Sequence, residues 1–355
     1  MKHFGALKYL PVFVLPVLTW YSFNIHGWAT FLPFVYVFGF IPLLELFLPA
    51  DATNFSTNEE KSRLDNLLYD ALVYLTLPVQ LFTLGYFLFS LQEVGLAPLD
   101  IAGRVLSMGL CCGILGINVG HELGHRRKRY ETWMAKINLM TSLNMHFMHE
   151  HNIHHHSAVS TPEDPASARY GEPVFAFWIR SITGVYAMAW RLEAQRLRRN
   201  GHRFLSFHNQ MITDHLIEGA LLLFIGLYFG LPTLGYFLIA ALLGHLLLET
   251  VNYVEHYGLV RKKKGNRYET VTPQHSWNSD HVVGRIHLFE LSRHSDHHFR
   301  AGRKYQILRH MDESPQMPTG YPGMMILSFF PPLWFAIMNP RVRGIQAQQE
   351  LPLSA

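Results

Sequence analysis

The chain has 355 residues, of which 49% are hydrophobic and only 16% charged, against roughly 25% charged in an average soluble domain. This shortage of charge predicts a membrane protein with a substantial polar part, and the net charge of +4 gives no sign of nucleic-acid binding. The two cysteines, Cys111 and Cys112, are adjacent in an apolar run, so this chain cannot build an iron–sulfur centre alone. Histidine is the unusual residue, with 22 copies.

Six segments are long and apolar enough to cross a bilayer, which takes about 20 residues. The predicted spans are 7–23, 29–48, 67–91, 101–119, 216–231 and 234–253. The sequence therefore predicts an all-α membrane protein with about six transmembrane helices. We expect one integral-membrane domain over residues 1–340, followed by a tail at 341–355.

The basic residues of the connections predict the orientation. Connections 24–28 and 92–100 contain no Lys or Arg, whereas 126–129, 191–203 and 261–267 are rich in both. By the positive-inside rule, both termini and the two long polar regions then lie in the cytoplasm. These regions, 126–215 and 258–340, form a predicted histidine-rich cap, in which 173–190 is expected to lie along the membrane surface.

Nine histidines fall into three clusters and one lone position on this side of the membrane. They are His121 and His125; His151, His155 and His156; His256; and His294, His297 and His298. Spacing of four residues on a helix, as between His121 and His125, places two imidazoles on one face, one turn apart. Because one metal ion rarely takes more than six ligands, nine histidines imply two ions.

The ligand type narrows the choice of metal. Imidazole suits iron, copper and zinc, while zinc usually closes its shell with four ligands. Iron with open positions can activate dioxygen, and a site at the end of apolar spans suits that chemistry. A metal transporter or sensor is the rival from another class, but spans with almost no charge argue against an ion path.

Carboxylates, further histidines and a row of glycines lie near the clusters, and their roles can be interpreted in more than one way. Carboxylates within or close to them could orient an imidazole: Glu122, Glu150, Asp164, Glu255 and Asp296. His154 is expected to lie outside the ligand set, in a supporting or surface position. His245, within the sixth predicted span, is expected to pack or hydrogen-bond between helices or, alternatively, to line the substrate cavity. The stripe Gly109, Gly113, Gly116 and Gly120 indicates close helix packing or, alternatively, room for a linear substrate.

Four motifs together resemble the bacterial membrane-bound alkane hydroxylases. They are HELGH at 121–125, EHNIHHH at 150–156, NYVEHYGL at 252–259 and RHSDHH at 293–298. The resemblance extends over most of the chain and includes TPEDPASARYGE at 161–172. Membrane desaturases share the histidine pattern, whereas NYVEHYGL with RHSDHH is typical of the hydroxylases. His154 and Ser292 depart from the usual family residues.

The resemblance implies a non-haem di-iron enzyme of the bacterial inner membrane, with its active site on the cytoplasmic side. It implies that all nine histidines bind iron and that Asp164 and Glu255 support the site. The expected reaction is hydroxylation of the terminal methyl of n-alkanes by O2, with electrons from rubredoxin, itself reduced by rubredoxin reductase. Hydroxylation of alkyl-aromatic methyl groups and fatty-acyl desaturation remain alternatives.

The chain also lacks a GxGxxG dinucleotide fingerprint, so its electrons must come from another protein. An acidic donor is expected to dock on cations close in sequence to His125 and His256. These are Arg126, Arg127, Lys128, Arg129, Arg261, Lys262, Lys263 and Lys264.

Overall fold

The structure is a computed structural model that describes residues 2–350, and it is built from helices with one short hairpin. The helices before the second cluster are α1 (Val14–Ser22, preceded by the 3-10 turn Lys2–Phe13), α2 (Gly27–Phe47), α3 (Thr57–Leu64), α4 (Leu67–Ser90), α5 (Pro98–Gly124) and α6 (Arg129–Met140). The others are α7 (Phe147–Glu150), α8 (Val174–Arg199), α9 (Gln210–Phe229), α10 (Leu231–His256), α11 (Val282–His287), α12 (His294–Phe299), α13 (Tyr321–Ser328) and α14 (Pro331–Glu350). Strands β1 (Lys263–Lys264) and β2 (Arg267–Tyr268) pair antiparallel.

Five of the described helices are long and apolar enough to cross a membrane: α2, α4, α5, α9 and α10. A sixth span results if α13 and α14, bent by 120° at their junction, are counted as one. The predicted class, an all-α multi-pass membrane protein with a histidine cluster, is confirmed.

The predicted span 7–23 is helical but is not among these candidates. Its 3-10 turn contains Pro11, and Lys8 is tied into the cap by an ion pair with Glu290, Nζ to Oε1 at 2.7 Å. An apolar run alone could not reveal that pair, because its members are 282 residues apart.

Helix α5 is the centre of the bundle, and its glycine stripe lets two neighbours approach closely. A Cβ at Gly109 or Gly113 would meet the side chains of α10, and one at Gly116 or Gly120 would meet the segment from α6 to Ser142. The stripe therefore serves helix packing, which fixes α5 and its histidines against two elements at once.

The predicted cap contains the amphipathic helix α8, which runs to Arg199, nine residues beyond the predicted 173–190 segment. Residues 341–350 of the predicted tail continue helix α14, so the tail is not separate there; 351–355 lie outside the described residues. Before α12 the chain turns through Phe289 and Glu290 in left-handed conformation, with φ of 49° and 60°. Ion pairs from Glu290 to Lys8 and Arg285 hold this turn.

Candidate metal centre

All nine histidines predicted as ligands meet in one region at the cap end of the bundle. They form a group of five and an adjoining group that includes one carboxylate. The first group is His121, His125, His151, His156 and His297; the second is His155, His256, His298, His294 and Glu255, joined through His256. Helices α5, α10 and α12 and the second histidine cluster supply them.

Within the five-histidine group, side-chain nitrogens lie at ligand spacing. The Nε2 atoms of His121 and His297 are 3.0 Å apart, and those of His151 and His156 are 3.1 Å apart. Two nitrogens bound to one ion at about 2.1 Å are separated by about 3 Å. The rings of His125 and His156 are 4.7 Å apart, centroid to centroid.

A π-helical turn divides the second cluster between the two groups. Residues His151–His155 form this turn, whose hydrogen bonds join residues five apart instead of the four of an α-helix. His151 and His156, five residues apart, therefore share the first group, while His155 faces His256 and His298 in the second. In a regular α-helix the four-residue spacing would place His151 and His155 on one face instead, and the sequence carries no local signal for a π-turn.

The second group is more deeply buried than the first, and carboxylates lie close to its histidines. Nε2 of His294 lies 3.3 Å from Nε2 of His256 and 3.1 Å from Oε2 of Glu255. Glu255, expected to act only from outside the ligand shell, thus lies at ligand distance itself. Its other oxygen accepts a hydrogen bond of 2.7 Å from Tyr321, a partner that the sequence reading missed.

Asp164 lies beside His155 of the second group. Its Oδ2 lies 2.9 Å from Nδ1 of His155 and accepts a 2.6 Å hydrogen bond from Ser167. Such a pairing fixes the tautomer of the imidazole and leaves Nε2 free to bind an ion. Two of the three remaining candidate carboxylates turn away from the histidines, since Glu122 pairs with Arg126 and Asp296 with Arg303.

The imidazoles are in the state that metal binding requires. Burial, followed by the charge of His155, lowers the pKa of His125 to about 4. Burial likewise lowers the pKa values of His151 and His297 well below the usual range, so the rings are neutral near pH 7. Several buried ring nitrogens have no hydrogen-bond partner among the described residues: His125 Nε2, His155 Nε2, His156 Nδ1, and both nitrogens of His298.

An apolar cavity leads through the bundle to the two groups. Aliphatic and aromatic side chains of α1, α2, α5 and α10 line most of it, including Val37, Ile114 and Leu248. Its inner end is bounded by His121 and His151 of the first group and His294 and Glu255 of the second. Of the glycine stripe, Gly113 alone contributes to its wall, so the stripe provides room for a linear ligand at one position.

The remaining histidines near the clusters stay outside both groups, as expected. His154 is half-buried, and its Nε2 lies 3.1 Å from the carbonyl oxygen of Glu163. His287 lies 2.7 Å from the hydroxyl of Tyr36, and His149 pairs with Asp214 at 2.9 Å.

The structure corrects part of the predicted docking set. Arg126 is buried in ion pairs with Asp70, Glu122 and Glu131, and Arg261 is buried against backbone carbonyl oxygens. Neither guanidinium is available to a partner. Arg127 and Lys128 are exposed and line a polar cleft that reaches the half-buried His125.

The sequence is similar to one protein family and to several known enzymes. The profile of the Fatty acid desaturase family matches residues 99–328. Alkane 1-monooxygenase 2 of Pseudomonas aeruginosa is 39% identical over 100% of this chain and 96% of its own length. Alkane 1-monooxygenase 1 of the same organism is 43% identical over 90% of this chain and 84% of its own. The xylene/toluene monooxygenase hydroxylase component of Pseudomonas putida is 29% identical over 87% and 82%.

Proposed function

The chain belongs to the alkane 1-monooxygenase family within the fatty acid desaturase superfamily, and we propose that it is a membrane-bound non-haem di-iron monooxygenase. Its reaction is hydroxylation of the terminal methyl of n-alkanes to primary alcohols, with O2 as co-substrate and rubredoxin as electron donor. The single observation that carries this proposal is the apolar cavity that ends between two metal-binding groups.

The donor set fits two iron ions. Five histidines would hold one ion, and four histidines with Glu255 within reach would hold the other. When bound, the iron ions supply the capacity to bind and reduce dioxygen, which no side chain of the chain offers alone. Histidine nitrogens without protein partners support this assignment, because buried imidazoles otherwise find a hydrogen bond.

The chain's own residues then perform the binding and the orientation. The apolar wall desolvates an alkane and excludes water from the reacting methyl group. Asp164 holds His155 in the tautomer with its proton on Nδ1. Tyr321 donates to Glu255 and so limits the orientations of that carboxylate beside His294.

We place the protein in the bacterial inner membrane with the metal groups at the cytoplasmic side. The support is the distribution of Lys and Arg, which avoids connections 24–28 and 92–100 and concentrates at the histidine end of the bundle. Substrate would then enter from the bilayer and the electron donor from the cytoplasm.

An external donor is required because the sequence has neither a cysteine set for an iron–sulfur centre nor a GxGxxG fingerprint, and the family resemblance makes rubredoxin the proposed donor. The polar cleft with Arg127 and Lys128 is the preferred docking surface, since it approaches His125 directly. Lys262, Lys263 and Lys264 on the β1–β2 hairpin form a second exposed basic surface. An acidic partner would be attracted to either surface at low ionic strength.

A second substrate class is favoured by one comparison. The P. putida relative is named for xylene and toluene, so alkyl-aromatic methyl groups are the alternative substrates. The alkane-named relatives share more identity with this chain, at 36–43% against 29%, which favours n-alkanes.

Product analysis tests the proposal. The purified full chain in lipid, supplied with rubredoxin, rubredoxin reductase, NAD(P)H and O2, is offered n-alkanes of several lengths and alkylbenzenes. A primary alcohol from an n-alkane is the expected product. Benzylic alcohols alone would favour the alternative, and an alkene would indicate a desaturase and contradict the proposal.

A further inference from the structure

A second set of buried polar side chains lies behind the metal groups, between α7, α8 and α10. His146 and Glu150 are one turn apart on the α7 segment, and His245 and Glu249 are one turn apart on α10. His146, Glu150 and Glu249 are all at least nine-tenths buried. None of the four belongs to either metal group.

These side chains require hydrogen-bond partners that the protein does not supply. His146 Nδ1, His245 Nε2 and Glu150 Oε1 have no partner among the described residues. Buried polar atoms in this situation are usually bonded to ordered water. The rings of His146 and His245 lie close together, with their centroids 6.0 Å apart.

The outer end of this set reaches the protein surface. Tyr186 lies against His146, with ring centroids 5.2 Å apart, and its hydroxyl is 3.0 Å from Nε2 of His215. His215 also contacts Glu218, Nδ1 to Oε2 at 3.0 Å, and about a third of its side chain is exposed. Protons from water at the cap can therefore reach His146.

The inner end approaches the second metal group from behind. Glu150 lies within electrostatic reach of Glu249 and of Asp164. Asp164 in turn contacts Nδ1 of His155. Polar groups therefore continue from the surface to the rear of this metal group, on the side away from the apolar cavity.

Glu249 and Glu150 differ from the other buried carboxylates of this region, because neither has an ion pair among the described residues. Glu193 is paired with Arg196, and Asp214 with Lys136 and His149. The carboxylate of Glu249 accepts a long hydrogen bond of 3.4 Å from the side-chain amide of Asn252. Burying an unpaired carboxylate is costly, so a purely structural role gives no reason to retain one here.

We propose that this set is a proton path to the metal groups and that Glu249 relays protons within it. The inference rests on the proposed function, whose balance is RH + O2 + 2 e⁻ + 2 H⁺ → ROH + H2O. The two electrons come from the docked electron-transfer protein. The two protons cannot come through the water-excluding cavity, and they pass from cap water by way of His215, His146 and Glu249.

The test uses the full chain in lipid with n-alkane, rubredoxin and reductase. Glu249→Gln keeps the size of the side chain but cannot carry a proton. Turnover should fall about a hundredfold, the lower end of the range for lost proton transfer. The solvent isotope effect, measured as the rate ratio in H2O and D2O, should rise. Iron content and the KM values for alkane and rubredoxin should stay unchanged.

Three further variants make the test decisive. His146→Gln, in the outer half of the path, should raise the solvent isotope effect in the same way, and Glu249→Asp should recover part of the turnover. Glu193→Gln, a buried carboxylate of α8 off the path, should leave turnover and isotope effect as in the wild type.

Each contrary result has a distinct meaning. An unchanged solvent isotope effect in both Glu249→Gln and His146→Gln would overturn the path. Loss of iron in Glu249→Gln, with a normal isotope effect in His146→Gln, would also overturn it and assign Glu249 a structural role. Wild-type protein that contains iron but forms no alcohol would instead reject the proposed function, and the path with it.

Discussion

The two metal groups are neighbours, yet their surroundings differ. In the five-histidine group, His125 and His156 are half-buried, and no imidazole of the group pairs with a carboxylate among the described residues. In the second group every member is buried, and Asp164, Glu255 and Tyr321 stand behind it. The first group faces the polar cleft that Arg127 and Lys128 line, and the second group faces the buried carboxylates Asp164 and Glu255. From the proposals above we expect electrons to arrive at the first group and protons at the second.

The largest expected effect comes from removing His256. In the second group, His256 lies at ligand spacing with His155 and His298 and also with His294 and Glu255. His256→Ala should therefore lose about one of two irons and lower turnover about a hundredfold or more. Iron analysis and alcohol formation measure the two effects. His154→Ala is the control and should keep both, since its ring contacts only a backbone carbonyl. Equal losses in the two variants would show that the ligand set is wrong.

Asp164→Asn tests whether the second group depends on its carboxylates. An amide at this position cannot hold the imidazole of His155 as a charged acceptor does, so metal affinity or activity should fall about 10–100-fold. Titration of metal-free protein with Fe²⁺ measures the affinity. Glu163→Gln, at an exposed neighbouring position, should bind iron as the wild type does. Unchanged affinity in Asp164→Asn would remove the distinction between the groups.

Charge reversal tests whether electrons enter beside the first group. Arg127→Glu combined with Lys128→Glu should raise the KM for rubredoxin about tenfold at low salt, with iron content unchanged. Reversal of Lys262, Lys263 and Lys264 to Glu should also raise it, but by less, because the hairpin does not line the cleft at His125.

Salt provides the internal check on these docking variants. Exposed charges are screened beyond about 8 Å at physiological ionic strength, so the effects on KM should shrink as salt rises. A larger effect from the hairpin would move the docking surface there. A rubredoxin dependence that neither reversal alters, at low or high salt, would place it elsewhere.

The smallest expected effect concerns the cavity wall. A Cβ at Gly113 would lie 2.9 Å from Cδ1 of Leu247, a flexible side chain that can move toward the cavity. Gly113→Ala should therefore shift preference toward shorter n-alkanes by up to about tenfold in relative kcat/KM. Gly109→Ala, which crowds Leu243 outside the cavity wall, should change thermal stability without changing chain-length preference.

Hydropathy and histidine spacing were sufficient to predict the helical membrane fold and the set of nine histidines. The division of those histidines was not predictable, because a π-turn at His151–His155 shifts the partner of His151 by one residue. The burial of Arg126 depends on Asp70, 56 residues away, and the place of Lys8 depends on Glu290. Such long-range pairs leave no trace in a local pattern of charge.

Metal analysis of active wild-type protein is the most direct test of the account. The two groups of nitrogen-rich ligands predict close to two irons per chain, with activity proportional to iron content across preparations. Removal by a chelator should abolish alcohol formation, and added Fe²⁺ should restore it. Active protein with stoichiometric zinc and no iron would contradict the di-iron account.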